Sequence, residues 1–194
     1  EIYIDSLGNA DAKPDHAVLS EINGACLAMV EIVKEDALFY LNHGKLVALL
    51  GGDHSTPLGY LQALAEKHKS FGILQIDAHA DLRNAYEGFE FSHASIMFNA
   101  LKINAVSKLV QVGIRDYCEE EFDLITASNG RIKTFFDRDL KHENYRGKTW
   151  QKQVEEIISH LPEKVYLSFD IDGLDPKLCP NTGTPVAGGF ETEQ

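Results

Sequence analysis

Three short segments hold the side chains able to do chemistry. Asp77-Ala78-His79-Ala80-Asp81 follows the apolar run 71–76, Asp170-Ile171-Asp172 follows the run 165–169, and Gly51-Gly52-Asp53-His54 follows the run 46–50. In an extended chain, residues two apart project to the same side. Asp77, His79 and Asp81 can therefore converge if the extended geometry lasts, and Asp170 and Asp172 share a side by the same rule. The paired glycines let the backbone approach a crowded place and leave His54 at the strand tip. Four carboxylates gathered without cations would repel, and some would have to hold protons; a pair of divalent ions would balance them. The set is rich in oxygen, with two imidazoles and no thiolate, which suits manganese, with iron, cobalt or zinc as competitors. Affinity order alone would favour zinc. A lone Asp-x-His or Asp-x-Asp is common on solvated loops; what singles these out is that each directly follows a strand of the buried type.

The elements that must position them alternate in type. Ile22, Cys26, Met29, Val33, Ala37 and Tyr40 recur at spacings of three or four and predict a helix over 20–43, stopped at Gly44. The unbroken apolar run 46–50 predicts a strand buried on both faces, hence parallel. Thr56 then Pro57 reads as an N-cap followed by proline at the first helical position, opening a helix through Leu58, Leu61, Leu64 and Ala65. Strands are expected over 71–76, 109–112, 132–136 and 165–169, and helices over 94–101, 119–127 and from Trp150 to Leu161, closed by Pro162. This is an α/β pattern, a mostly parallel sheet with helices on both faces. Ligands of such sheets bind beyond the carboxyl ends of the strands, where all three acidic segments fall.

The 194 residues, 44% hydrophobic and 25% charged, suit one domain with a sizeable core. A net charge of −12 argues against a nucleic-acid surface, which needs clustered Lys and Arg. No apolar run reads as a membrane span, and residues 1–5 lack the basic and apolar parts of a signal peptide. Cys26, Cys118 and Cys179 are widely spaced, form no CxxC pair, and read as small buried side chains in a reduced, cytoplasmic setting.

With these residues in place, the chain resembles the ureohydrolases: arginase, agmatinase, guanidinobutyrase and formimidoylglutamase. The matching segments are GGDHS at 51–55, DAHAD at 77–81, SFDIDGLDP at 168–176 and, more weakly, TGTP at 182–185. The resemblance spans about residues 44–190. It implies a three-layer αβα fold of the arginase/deacetylase kind, here a single catalytic domain over 1–194 that looks incomplete at both ends. It also implies two Mn²⁺, one held by His54, Asp77, Asp81 and Asp170, the other by Asp77, His79, Asp170 and Asp172, with Asp77 and Asp170 bridging. The solvent between the ions would become hydroxide near neutral pH and attack the guanidinium carbon. His93 sits where the family carries a histidine that shuttles protons, and imidazole titrates in the range that delivery to a leaving amine needs. Asp53 reads as an orienting or capping residue, and Asp175-Pro176 as a turn. His16, His43, His68, His142 and His160 read as surface residues.

The resemblance also sets the alternatives. The family anchors the guanidinium with a glutamate beyond the TGTP loop, and that position falls at or near Gln194, which offers no charge. The stretch between Asp81 and His93 looks closer to the agmatinase branch than to the arginase branch, with Arg83 and Glu87 as further substrate contacts. The expected activity is hydrolysis of a small guanidino substrate such as agmatine to urea and an amine. The alternatives are an arginase, a formimidoylglutamase releasing formamide, or a silent homologue that binds or regulates. By family analogy the protein forms homotrimers or homohexamers.

Overall fold

The computed structural model of the protein describes residues 16–194, and the reading at residues 1–5 lies outside them. The elements run α1 (His16–Asn42), α2 (Pro57–Lys67), β1 (Phe71–Ile76), α3 (Ile96–Leu101), β2 (Val106–Ile114), α4 (Glu119–Ala127), β3 (Ile132–Phe136), α5 (Asp137–Tyr145), α6 (Trp150–Ser159) and β4 (Val165–Phe169). Short 3-10 turns cover His93–Ser95 and Ile171–Gly173. The four strands form one parallel sheet in the order β3-β2-β1-β4.

Alternation along the strands builds two cores. Ile73, Leu109 and Ile132 pack with Val30, Leu61 and Met97 on one face of the sheet. Val110 and Val112 pack with Leu140, Ile157 and Phe190 on the other, joined by Leu74 and Ile76. Helices therefore cover both faces, giving the three layers expected. Between α1 and α2 the backbones nearly touch, because a Cβ at Gly59 would lie 2.2 Å from Val30 O. The face of α1 turned inward carries Val30, Val33, Ala37 and Leu41, whereas Tyr40, expected on it, is exposed.

The structure departs from the expected elements in several places. Residues 46–50 join no ladder, and Leu46 and Leu50 are 99% and 100% exposed. The run has the composition of a doubly covered strand, but a groove of about 510 Å³ separates its end from β4, the edge strand on that side. Second, α5 was not legible: DRDLKHENY buries only Asp137 and Leu140 and carries no apolar stripe. It is supported by its sequence-near pair Asp137–Lys141 at 2.8 Å, a spacing that stabilises helices. Third, α1 is long and apolar enough to cross a membrane by length and composition, and 11% of that stretch is buried. Here α1 packs along α2 through Ala37, Tyr60 and Ala63. The three cysteines are half-buried rather than buried, and none is paired.

Candidate metal centre

β1 and β4 are neighbours, yet the chain leaves β1 toward β2 and β3 on one side and enters β4 on the other. Such a reversal of direction opens a crevice beyond the carboxyl ends of the two strands. The Asp77 N–H still donates to Val112 O at 3.2 Å, after which the chain turns. His79 N donates to Asp77 Oδ1 at 2.7 Å, and Asp81 takes φ 54°, a left-handed conformation that aspartate tolerates better than most residues. The Asp81 carbonyl accepts from Met97 N and Phe98 N at the start of α3, at 3.0 and 3.2 Å. Asp77, His79 and Asp81 do converge, but through a turn and not through the continued pleat the spacing suggested.

At the end of β4 the Asp170 N–H donates to Ile76 O at 2.9 Å. Asp170 Oδ1 accepts from Asp172 N, and Asp172 Oδ1 from Ala78 N, both at 3.1 Å. The two acidic segments touch because residue 173 is glycine: a Cβ there would lie 3.1 Å from Asp77 N. His54 arrives on a separate turn, closed where Asp53 Oδ1 accepts from Ser55 N and Thr56 Oγ1 donates to Asp53 O, each at 2.9 Å. Asp53 is thus the residue that fixes this turn. Thr56 is already helical (φ −60°, ψ −32°) with no side-chain cap, whereas Pro57 takes the first turn of α2 as expected.

The six side chains meet. His54 Nδ1 lies 3.1 Å from Asp77 Oδ2, 2.9 Å from Asp81 Oδ2 and 3.4 Å from Asp170 Oδ2. His79 Nδ1 lies 3.0 Å from Asp172 Oδ2 and 3.5 Å from Asp77 Oδ1. Two groups could each hold a metal ion, His54 with Asp77 and Asp170, and His79 with Asp77 and Asp172, their ligand atoms all within 4.8 Å of one another. Asp77 belongs to both; Asp170, which the resemblance would also make a bridge, belongs only to the first. Ligands about 2.1 Å from an ion and at right angles sit about 3 Å apart, the spacing found here. His54 Nδ1 is buried yet aligned for no hydrogen bond to any of its three oxygens, and Thr182 Oγ1 in the same cleft has no partner either. Buried polar atoms are rarely left so, and a cation would satisfy the nitrogen. The residues fit a pair of cations.

The electrostatics agree. Burial works against a charged His54, but the carboxylates of Asp77 and Asp81 outweigh it and push its pKa up to about 11. His79 is likewise opposed by burial and raised to about 10 by Asp172 and Asp77. Burial and then the Asp77 charge raise Asp81 to about 7, and the same two causes raise Asp170. Burial also opposes ionisation of Asp77, but His54 and His79 hold it well below the usual carboxylate range. Without metal, protons occupy the places where cations would sit.

The cleft, about 410 Å³, is lined further by Asp53, His93 and the 181–184 loop. His93 is half-exposed, its Nδ1 3.8 Å from Asp53 Oδ2. Arg83 lines an adjoining cavity of about 110 Å³ with Tyr86, Asp116 and Tyr117, and its guanidinium lies over the Tyr86 ring. Glu87 lines neither cavity. Gln194 is elsewhere: its carbonyl accepts from Trp150 Nε1 at 2.9 Å, in an apolar groove with Val154 and Phe190. Asp175 makes the expected turn, accepting from Lys177 N at 2.9 Å. Of the five histidines read as surface residues, His16, His43 and His142 are exposed, and His68 and His160 are half-buried.

Four contributors were not legible as such. Ser168 Oγ meets His54 Nε2 at 2.8 Å, and Gln75 Nε2 donates to Asp77 Oδ2 at 2.9 Å. Each lies two residues before an acidic ligand, so the rule that grouped the ligands, extended backward, would have found them. Arg115 donates to Asp172 O, Leu174 O and Val186 O at 2.6, 3.2 and 3.1 Å, tying the β4 turn to the loop beyond Thr184. Arg115 had no local signal, and Thr182 only its place in the weakly matching TGTP segment.

Comparison with known proteins gives a consistent setting. The model of a family described as the arginase family matches residues 2–194. A guanidinobutyrase of Pseudomonas aeruginosa is 34% identical over 177 residues, covering 87% of this chain and 52% of the relative. An N(1)-aminopropylagmatine ureohydrolase of Thermus thermophilus is 37% identical over 163 residues, covering 84% and 52%. Among solved structures, an arginase from Bacillus subtilis superposes with a TM-score of 0.75 at 27% identity, covering 87% of this chain and 62% of that one. The chain spans about half the length of these curated relatives.

Proposed function

Since this chain belongs to the arginase family, we propose that its acidic cleft is the active site of a binuclear metal hydrolase that splits a guanidino substrate into urea and an amine. The observation that carries this reading is the pair of ligand groups sharing Asp77, with His54 Nδ1 of the first group buried and without an aligned hydrogen bond. Two divalent ions, when bound, supply Lewis acidity and a water nucleophile near neutral pH. Manganese is the metal this oxygen-rich set suits best.

The protein's own groups do the rest. Neutral His54 and His79 would offer Nδ1 as metal donors, and Asp77, common to both ligand groups, would contribute to both. Asp81 and Asp170 complete the His54 side, and Asp172 the His79 side. The cleft would hold the guanidino group in a fixed pose, which converts an encounter into a positioned reaction. Water adds to the guanidino carbon and gives up a proton, and as the tetrahedral centre collapses the C–N bond breaks and the leaving amine takes a proton. His93, on the cleft wall with Asp53 behind it, delivers that proton. Arg83 lines the adjoining cavity, where the carboxylate of Asp116, not the guanidinium, would meet a cationic substrate tail; Glu87 and Gln194, which line neither cavity, have no contact role in this reading.

Agmatine is the substrate we assign first, because the stretch between Asp81 and His93 resembles the agmatinase branch and relatives include agmatinases beside a guanidinobutyrase and an N(1)-aminopropylagmatine ureohydrolase. The test is urea release by the full-length protein with Mn²⁺ from agmatine, guanidinobutyrate and arginine, with formamide from formimidoylglutamate as the fourth assay. Release of urea from agmatine above the others supports the assignment. Formation of none of these products would leave a silent homologue.

A further inference from the structure

Four polar side chains stand in one register row across the sheet. Thr134 of β3 pairs with Gln111 of β2, Gln111 with Gln75 of β1, and Gln75 with Ser168 of β4. Gln75 and Gln111 are completely buried, in positions where an interior strand normally carries an apolar residue. Their hydrogen bonds run one way. Thr134 Oγ1 donates to Gln111 Oε1 at 2.8 Å. Gln111 Nε2 donates to Gln75 Oε1 and to Ala80 O, both at 2.7 Å. Gln75 Nε2 donates to Asp77 Oδ2 at 2.9 Å and to His79 O at 3.1 Å. Both amides spend both of their N–H groups, so neither can flip without setting donor against donor. At the other end of the row, Ser168 Oγ meets His54 Nε2.

We propose that Thr134, Gln111 and Gln75 are positioning residues: a one-way hydrogen-bond chain across three strands that fixes the carboxylate of Asp77 between the two ligand groups. This rests on the two-ion reading above. A buried amide pair that merely satisfied itself would need no fixed direction. Here the Thr134 hydroxyl and one N–H of each amide point along the row toward the one carboxylate common to both groups, and the other N–H of each amide holds the carbonyls of His79 and Ala80 inside the ligand turn. A chain of this kind polarises along its length, and groups that orient a metal ligand shift metal affinity by roughly 10- to 100-fold when removed.

The experiment measures Mn²⁺ binding by titration calorimetry on the full-length protein, alongside urea denaturation without metal. Gln75→Met keeps volume and removes the donor; Thr134→Val acts at the far end, away from the cleft, and Thr134→Ser restores the hydroxyl. The expected result is two ions bound by the wild type and about tenfold weaker binding in Gln75→Met. Thr134→Val weakens binding about threefold, Thr134→Ser recovers it, and KM for the substrate stays unchanged. If Gln75→Met fails to fold, the threonine pair decides alone. Wild-type affinity in a folded Gln75→Met, or in Thr134→Val when only the threonine pair folds, overturns the proposal and leaves the row a matter of core packing. A wild type that binds fewer than two ions overturns the two-ion reading and the proposal with it.

Discussion

Ser168 and His54, 114 residues apart in the chain, meet at 2.8 Å between Oγ and Nε2. That contact settles which ring nitrogen faces the carboxylates. With Nε2 committed to the hydroxyl, Nδ1 is turned to Asp77, Asp81 and Asp170, and the tautomer with hydrogen on Nε2 leaves Nδ1 its lone pair for a cation. Replacing Ser168 with Ala removes the acceptor in a fully packed position. Metal affinity should fall by roughly tenfold or more, while urea denaturation of the metal-free protein moves little. Undiminished Mn²⁺ binding in a folded Ser168→Ala would show that the imidazole is held by its other contacts alone.

Asp77 is the one carboxylate in both ligand groups, so Asp77→Asn should cost both ions, whereas Asp170→Asn should cost the ion on the His54 side first. Elemental analysis after dialysis distinguishes the two: near zero metal per chain for the first, and about one for the second if Asp170 serves a single ion. Loss of both ions in Asp170→Asn would restore it as the second bridge that the family resemblance implies. In either variant urea production should drop by several orders of magnitude, since the nucleophile depends on the ions.

Most of the fold and site could be read in advance, and the exceptions have physical causes. β1, β3, β4 and α4 were legible to the residue because each is a short apolar or amphipathic run bounded by turn residues. The acidic ligands were legible because strands set a period of two up to their ends. That period did not predict the turn at Asp81, whose φ of 54° follows from tertiary contacts with α3. The run 46–50 shows the opposite failure: its composition says that it wants covering on two sides, but composition does not supply a neighbour. α5 escaped because one i,i+4 ion pair and two buried residues leave no stripe to read.

Protons and metal compete for the same atoms, and the sign follows from the shifts. His54 and His79 have folded-state pKa values of about 11 and about 10, above the unfolded value of about 6.5. Their stabilisation of the metal-free protein is full below about pH 6.5 and is lost as pH rises through about 10 to 11. Metal must displace these protons, so binding at pH 7.5 should release close to two protons per chain pair of ions, and affinity should climb with pH. Calorimetry in buffers of different ionisation enthalpy reads the proton count directly. Binding without proton release would mean that the imidazoles are already neutral in the metal-free state.

Thr182 carries a buried hydroxyl with no partner in the cleft wall. An unsatisfied buried group costs about 1 to 3 kcal/mol, so Thr182→Val should leave the protein as stable or slightly more so. If the hydroxyl is kept for the substrate or the developing tetrahedral centre, kcat/KM should nevertheless fall by about tenfold. A variant that gains stability with no loss of turnover would strip the hydroxyl of any role in the reaction.

Glu121 holds the segment that follows the ligand turn. It is buried, accepting from Leu82 N through Oε1 and from Cys118 N through Oε2, both at 2.8 Å, so it joins the residue after Asp81 to the start of α4. Both bonds require an acceptor on each oxygen. Glu121→Gln offers one acceptor and turns an N–H against a backbone N–H at the other, and Glu121→Ala abandons both donors. The cost should be roughly 1 to 3 kcal/mol for the glutamine variant, read as a lower urea midpoint in the metal-free protein. Because Arg83 Nε lies 3.9 Å from the same carboxylate, the glutamine variant should also raise KM through Arg83. Reversal of the KM effect by saturating Mn²⁺ would place the damage in the ligand turn and not in the substrate cavity, since the metal would then be pulling Asp81 back into position.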